Sequence, residues 1–160
     1  MKAVIYKPIG IIHSPYTEPS KTPKYPQAVK NIRGSIEILK DFEGRSLVEG
    51  LKDLEGFSHL ILIYHMHVAK KFSSLVKAYL DGKEHGVFAT RSPSRPNAIG
   101  LSVVKLVEIT GNTLIIEDID IIDGTPLLDI KPYLPDFQDQ SSIKIGWIEP
   151  HKEKFYENTK

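Results

Sequence analysis

The clearest architectural signal in this chain is a hairpin. Leu101 to Ile109 is rich in Val and Leu, Thr110-Gly111-Asn112-Thr113 is a turn, and Leu114 to Ile122 follows as a strong second strand. Shorter strands are expected before it. Ile9-Gly10-Ile11-Ile12-His13 is one, stopped by Ser14-Pro15. Gly34 to Ile38 alternates and predicts a strand with one wet face. Leu60 to Tyr64 is a continuous apolar run, which predicts a strand buried on both faces. Ile143 to Trp147 would be a last short strand. Eleven prolines, several clustered, argue against long helices. Leu47, Leu51 and Leu54 are spaced for one side of a short helix. Short strands at regular spacing point to an all-β chain, a small barrel-like domain with a few short helices, rather than to a βαβ fold.

Two segments resist this pattern. Tyr16 to Tyr25 holds two prolines and three Thr or Ser residues, and reads as a loop long enough to be functional. Phe72 to Leu80 fits two templates. Phe72, Leu75, Val76 and Tyr79 match a helical face, while Val76 to Leu80 also alternates into Asp81-Gly82, a hairpin turn returning through Gly86 to Thr90.

At 160 residues the chain suits one domain with its own core. That domain is expected over residues 8–137, with a final strand and a polar tail at 138–160. No apolar run reaches the length of a bilayer span, and the first residues do not resemble a signal peptide. The absence of cysteine excludes disulfides and thiolate metal sites and fits a cytoplasmic protein. The net charge of +1 excludes a uniformly basic surface, so any affinity for RNA must come from a local patch. Lys21, Lys24, Lys30, Arg33, Arg95 and Lys105 are candidates for it if folding gathers them.

Common catalytic signatures are missing: no Gly-x-Gly-x-x-Gly after a strand, no phosphate loop, no Gly-x-Ser-x-Gly elbow. His59, His65 and His67 would share one strand face and could ligate zinc or serve a metal-dependent hydrolase. Such histidines more often hydrogen-bond at a strand end, and no metal site is assigned. The densest polar segment is Arg91-Ser92-Pro93-Ser94-Arg95-Pro96-Asn97, a proline-stiffened loop whose guanidinium forks suit phosphate or carboxylate. Asp118, Asp120 and Asp123 cluster at the end of the strongest strand, and Asp118 and Asp120 would share a face if that strand is regular. Asp123 suits either a turn or a carboxylate that accepts ribose hydroxyls. Asp129-Ile130-Lys131-Pro132-Tyr133 reads first as a structural ion pair.

Six blocks together resemble the TsaA-like family. They are Ile9 to Pro15, Gly56-Phe57-Ser58-His59-Leu60, Gly86 to Ser92, Arg95-Pro96-Asn97-Ala98-Ile99-Gly100, Asp123-Gly124-Thr125-Pro126 and Asp129 to Tyr133, in family order. The segment from Lys70 to Glu84 departs from the pattern. The resemblance implies a β-barrel methyltransferase without a Rossmann fold. It implies S-adenosylmethionine as cofactor, bound at a homodimer interface. It also implies a tRNA substrate, methylated on N6 of a threonylcarbamoyl-modified adenosine beside the anticodon. A binding module that senses S-adenosylmethionine or a nucleotide without catalysis is the alternative.

By position, the resemblance assigns cofactor contacts to Pro26, Gln27, Ala28, His67, Val68, Arg91, Leu101, Ile121, Ile122, Asp123 and Gly124. Arg95, Asn97 and Lys131 match motif positions expected to face substrate. Asp129 and Tyr133 are candidate proton acceptors. The acceptor nitrogen lies between an adenine ring and a carbamoyl group, so its proton is relatively acidic and alignment is expected to supply much of the rate.

Overall fold

A computed structural model describes residues 2–23, 30–134, 145–151 and 153. Among these residues ten strands follow in chain order: β1 (Gly10–His13), β2 (Arg33–Ile38), β3 (Asp41–Phe42), β4 (Arg45–Ser46), β5 (His59–His65), β6 (Leu75–Lys77), β7 (Glu84–Gly86), β8 (Ile99–Thr110), β9 (Thr113–Glu117) and β10 (Thr125–Pro132). Six of them close a barrel in the order β1-β10-β5-β8-β9-β2, every neighbouring pair antiparallel. The expected small barrel is therefore the fold. β1 lies between β10 and β2, with Gly10 opposite both Leu127 and Ile38. Closure leaves the barrel no unpaired edge.

Alternation along the strands decides what fills the interior. Ile12, Ile36, Leu60, Leu62, Val104, Leu114, Ile116 and Leu127 are fully buried. A barrel this narrow is filled by its own side chains, leaving no lumen for a ligand. β5 corrects one expectation. Leu60, Leu62 and Tyr64 point inward, but Ile61 and Ile63 face outward and stay partly exposed. The run is apolar because both faces are apolar, not because both are buried in this chain. β8 repeats the pattern, with Gly100, Ser102 and Val104 inside and Ile99, Leu101 and Val103 outside. In β10 a register shift between Leu127 and Asp129 re-aims the strand, so Leu127 meets inward Tyr64 while Asp129 meets outward Ile63.

Several other expectations change. β9 stops at Glu117 because Asp118 adopts φ +65°, which turns the chain out of the sheet. Its carboxylate accepts the Asn31 N–H at 2.8 Å, so Asp118 is a turn residue and shares no strand face with Asp120. The leucine-spaced helix becomes two 3₁₀ turns, Glu49–Leu51 and Leu54–Gly56, separated by Asp53 at φ +66°. Of the two templates for residues 72–80, the hairpin wins. β6 and β7 form a ribbon around Asp81-Gly82, and Val87–Ala89 is a 3₁₀ turn rather than part of the returning strand. Trp147 lies in a 3₁₀ helix, Gly146–His151, not a strand, and residues 143 and 144 fall outside the described residues. No helix among the described residues is long and apolar enough to cross a membrane.

For the site, the register matters most. Ile12 pairs with Thr125, Tyr64 with both Leu127 and Gly100, and His65 with Ile99. The end of β1, the end of β5, the start of β8 and the start of β10 therefore meet at one mouth of the barrel.

Candidate functional site

At that mouth the chain enters β10 through Ile121-Ile122-Asp123-Gly124. Gly124 sits at φ +73°, where a side chain would be strained. Backbone bonds pin the bend to β1 and its following loop: Gly124 N–H donates to Ile12 carbonyl at 2.9 Å and Asp123 N–H to Tyr16 carbonyl at 2.8 Å. Asp123 Oδ1 accepts the Ser14 N–H at 3.1 Å and lies 3.3 Å from His13 Nδ1. Its second oxygen has no hydrogen-bond partner among the described residues, nor do the N–H groups of Ile121 and Ile122. The turn thus leaves two N–H donors and one carboxylate oxygen without a partner among the described residues. That donor set suits a nucleoside, with ribose hydroxyls on the carboxylate and ring nitrogens on the amides.

His67 joins the same turn. The Thr125 hydroxyl spends its proton on Ile122 carbonyl at 2.6 Å, so towards His67 Nδ1, 3.3 Å away, it can only accept. The neutral imidazole then carries its proton on Nδ1 and leaves Nε2 as an open acceptor. Val68 follows, exposed beside it.

Arg91 is exposed and makes no hydrogen bond or ion pair among the described residues. The arginine loop leads into the start of β8 and the Asp-Gly-Thr turn into the start of β10, so both lie at the same end of the barrel. Arg95 behaves differently. Its Nη1 donates to the carbonyls of Thr90 at 2.7 Å and Val87 at 3.1 Å, so it clasps its own loop. Asn97 is exposed, and its carbonyl accepts the Ile99 N–H.

Sequence reasoning passed over a polar network beneath this mouth. Ser102 Oγ donates to Asp120 Oδ1 at 2.7 Å and lies 3.0 Å from the Tyr64 hydroxyl. Ser102 has one proton and gives it to Asp120, so Tyr64 donates to Ser102. Burial raises the Asp120 carboxyl above the usual range, against the hydrogen bond from Ser102 and the charge of Arg91. Burial, with the Asp120 charge, pushes the Tyr64 phenol up to about 12. Burial and then Asp120 raise Tyr16 as well. A Cβ on Gly100 would stand 2.2 Å from Tyr64 Cε2, so only glycine lets this ring lie flat against β8. A signal existed: Tyr64 and Ser102 are polar residues at inward positions of apolar strands.

The remaining candidates lie on the outer wall. Leu101, 51% exposed, stands next to Ile63, which stands next to Asp129. Two strand spacings separate Leu101 from Asp129, roughly 10 Å. Asp129 pairs with Lys131 at 2.7 Å, the structural ion pair expected from the sequence. Tyr133 is beyond the far end of β10, its N–H on His59 carbonyl and its ring edge-on to His59. From there to the mouth, β5 rises about 20 Å, so one chain does not bring Tyr133 to Asp123. The same span separates His59 from His65, and no three potential metal-ligating side chains gather among the described residues. Pro26, Gln27 and Ala28 lie outside the described residues.

Most residues proposed for a basic patch are engaged elsewhere among the described residues, while Lys30 is exposed without an ion pair. Arg33 and Lys105 both bind Glu117, Lys21 binds Glu18, Arg95 is folded onto its loop, and Lys24 lies outside the described residues.

Comparison with known proteins bears on what such a mouth does. The family model described as tRNA-methyltransferase O N-terminal domain matches residues 11–139. A probable S-adenosyl-L-methionine-binding protein of Pyrococcus abyssi is 54% identical over 94% of this chain and 79% of its own length. The tRNA (adenine(37)-N6)-methyltransferase of Escherichia coli is 38% identical over 84% of this chain and 60% of its own length. The crystal structure of TrmO from Pseudomonas aeruginosa superposes with a TM-score of 0.71 at 36% identity, covering 91% of this chain and 63% of that one. The chain therefore spans under two thirds of those two methyltransferases.

Proposed function

The chain belongs to the tRNA-methyltransferase O N-terminal domain family, and from that premise we propose that it is an S-adenosylmethionine-dependent methyltransferase acting on N6 of an adenosine in tRNA. The acceptor in this reading is the threonylcarbamoyl-modified adenosine beside the anticodon. The observation that carries it is the Ile121–Gly124 turn, whose open N–H groups and free Asp123 oxygen match a nucleoside, with Arg91 at the same mouth.

When bound, the cofactor supplies a methyl group already activated on a sulfonium. This chain has to hold, align and dry the reacting groups. Asp123 takes ribose hydroxyls, and the amides of Ile121 and Ile122 take acceptor atoms of the base. His67 Nε2 accepts an amine proton. Arg91 anchors an anionic group of cofactor or RNA, and its guanidinium cannot serve as a base. Val68 and Leu101 supply apolar contact. Pro26, Gln27 and Ala28 belong to the same contact set by family position. Asp129, paired with Lys131, is the candidate acceptor of the N6 proton. Tyr133 contributes from the far end of the wall, and Arg95 and Asn97 shape the RNA-facing loop.

Leu101 implies a second component. It points out of a filled barrel, so a cofactor touching it rests on an open wall and needs a lid. Ile61, Ile63, Ile99, Leu101 and Val103 form an outward apolar strip there. A second copy laid against this strip completes the site and buries it. The working assembly in this reading is a homodimer, acting in the cytoplasm where tRNA is found. Residues 8–137 form the unit that dimerises.

The decisive experiment incubates the purified chain with isotope-labelled S-adenosylmethionine and tRNA carrying or lacking the threonylcarbamoyl group, followed by nucleoside mass analysis. Label on N6 of the modified adenosine is the expected result. Cofactor binding with no labelled nucleoside in any tRNA pool would reduce the protein to a sensor.

A further inference from the structure

Charge in this chain is unevenly placed. Residues 68–95 hold six Lys and Arg against two Asp and Glu, a net +4, while the rest of the chain holds fifteen against eighteen, a net −3. This segment leaves the mouth after β5 and returns to it at β8. It forms an arm built on the β6–β7 ribbon.

Lys70, Lys71, Lys77 and Lys83 are exposed and make no ion pair among the described residues. Elsewhere Lys7, Lys21, Arg33, Lys105 and Lys131 each rest on a carboxylate, while Lys2, Lys30, Lys40, Arg45 and Lys52 are scattered along the chain without an ion pair among the described residues. One of the arm's two acids is also spent: Asp81 holds His85 at 3.1 Å and the Lys83 N–H at 2.9 Å. The arm's positive charge is therefore neither internally neutralised nor shared with the barrel.

The same arm exposes flat rings. Phe72 is 52% exposed, Tyr79 68% and Phe88 77%. The ribbon that carries them is fixed. Ser73 N–H bonds to Ser94 carbonyl and Val87 N–H to Ser74 carbonyl, joining the ribbon to the arginine loop. His85 stacks on Trp147 with centroids 3.9 Å apart, and Trp147 Nε1 donates to Ala89 carbonyl. Arg95 lies 5.8 Å from the Phe88 ring centre, beside a ring face left to solvent. Rigidly held, exposed rings interleaved with unpaired cations are what a partner with alternating anionic and planar groups requires.

We propose that this arm is a docking surface for single-stranded RNA, its lysines on successive phosphates and its phenylalanine rings under unpaired bases. This rests on the reading of the protein as acting on tRNA, and it names the part of the substrate that is gripped: a loop rather than a stem. A duplex hides its base faces and would leave the rings unused. A second copy of the arm is excluded as the partner by like charge. Because the arm begins and ends at the mouth, a loop held on it presents a neighbouring base to Arg91 and Asp123.

The test uses the full chain, a fluorescein-labelled anticodon stem-loop RNA, and a labelled RNA duplex of equal length. Anisotropy is measured over a salt series. Four phosphate contacts on a single strand give a log–log salt slope of about −3, or roughly 50-fold weaker binding from 50 to 200 mM salt. The variant with Lys70, Lys71, Lys77 and Lys83 all changed to Gln should flatten that slope and bind about 50-fold or more weakly at low salt. Phe72→Ala and Phe88→Ala should each weaken stem-loop binding by about 5- to 150-fold and leave duplex binding unchanged. Cofactor affinity by calorimetry should be the same in all three variants. Wild-type affinity for the stem-loop in the quadruple variant overturns the proposal. So does a wild-type protein that ignores the stem-loop, or one that binds duplex or heparin equally well. If the lysines grip the loop but no tRNA is methylated, the docking surface stands and the methyltransferase reading fails.

Discussion

Ser102 Oγ reaches Asp120 Oδ1 at 2.7 Å, tying the inward face of β8 to the segment that leads into the Asp-Gly-Thr turn. The bond holds a partly buried carboxylate directly below the proposed cofactor turn. Removing it with Ser102→Ala leaves Asp120 and Tyr64 each short of a partner. The expected cost is about 1–3 kcal/mol, readable in chemical denaturation as a lower midpoint with unchanged slope.

The raised Asp120 pKa fixes a pH dependence. A carboxyl whose folded value lies above its unfolded value favours the folded state while protonated. That contribution is lost as pH rises from the ordinary carboxylate range through the folded value. Asp120→Asn has no proton to lose. The melting temperature of the wild type minus that of the variant should therefore shrink from acidic to neutral buffer. A difference that stays constant over that range would mean Asp120 does not titrate in the folded protein as its burial requires.

Gly100→Ala tests the packing of Tyr64. The new methyl would stand 2.2 Å from the ring, and both lie on strands that cannot separate without opening the barrel. Overpacking of this kind costs about 1–3 kcal/mol, or roughly 3–10 °C in Tm for a chain of this size. A calorimetric melt indistinguishable from the wild type would show that the ring swings aside freely.

Arg91→Ala separates anchoring from chemistry. Losing a hydrogen bond to a charged group should weaken cofactor or RNA binding by about 10- to 150-fold. Binding by equilibrium dialysis and single-turnover methyl transfer are to be measured separately. Unchanged values for both remove Arg91 from the site.

Leu101→Asp tests the lid. The side chain faces outward and touches no part of the filled interior, so the barrel should fold with near wild-type stability. Light scattering should then report a monomer, and cofactor affinity should fall with the dimer. A monomeric wild type that binds cofactor fully would remove the second copy from the site.

The hairpin of β8 and β9, as far as Glu117, and the strand before Ser14-Pro15 were legible because their side-chain period and turn residues are local. Faces were harder. Ile61 and Ile63 are as apolar as Leu60 and Leu62, and nothing local says that one pair points away from the core. Asp118 broke a strand that its sequence continues, because it turns through positive φ to hold Asn31. Arg95 looked like a ligand residue, yet two nearby carbonyls take its guanidinium. The network of Tyr64, Ser102 and Asp120 joins residues 38 and 18 positions apart, which no window on the sequence compares. The Asp-Gly-Thr turn was legible as a turn. That it leaves two amides and one oxygen unfilled depends on contacts from the distant β1.

The barrel's seam has a consequence for how the protein is made. Among the described strands the first, β1, closes against the last, β10, and both sides of that seam supply the proposed cofactor turn: Ser14 from one side, Asp123 from the other. A chain lacking β10 holds neither a sealed barrel nor the complete proposed cofactor turn. Such long-range closure is slow relative to local structure. If the turn holds the cofactor as proposed, ligand competence is acquired in the same step that closes the barrel.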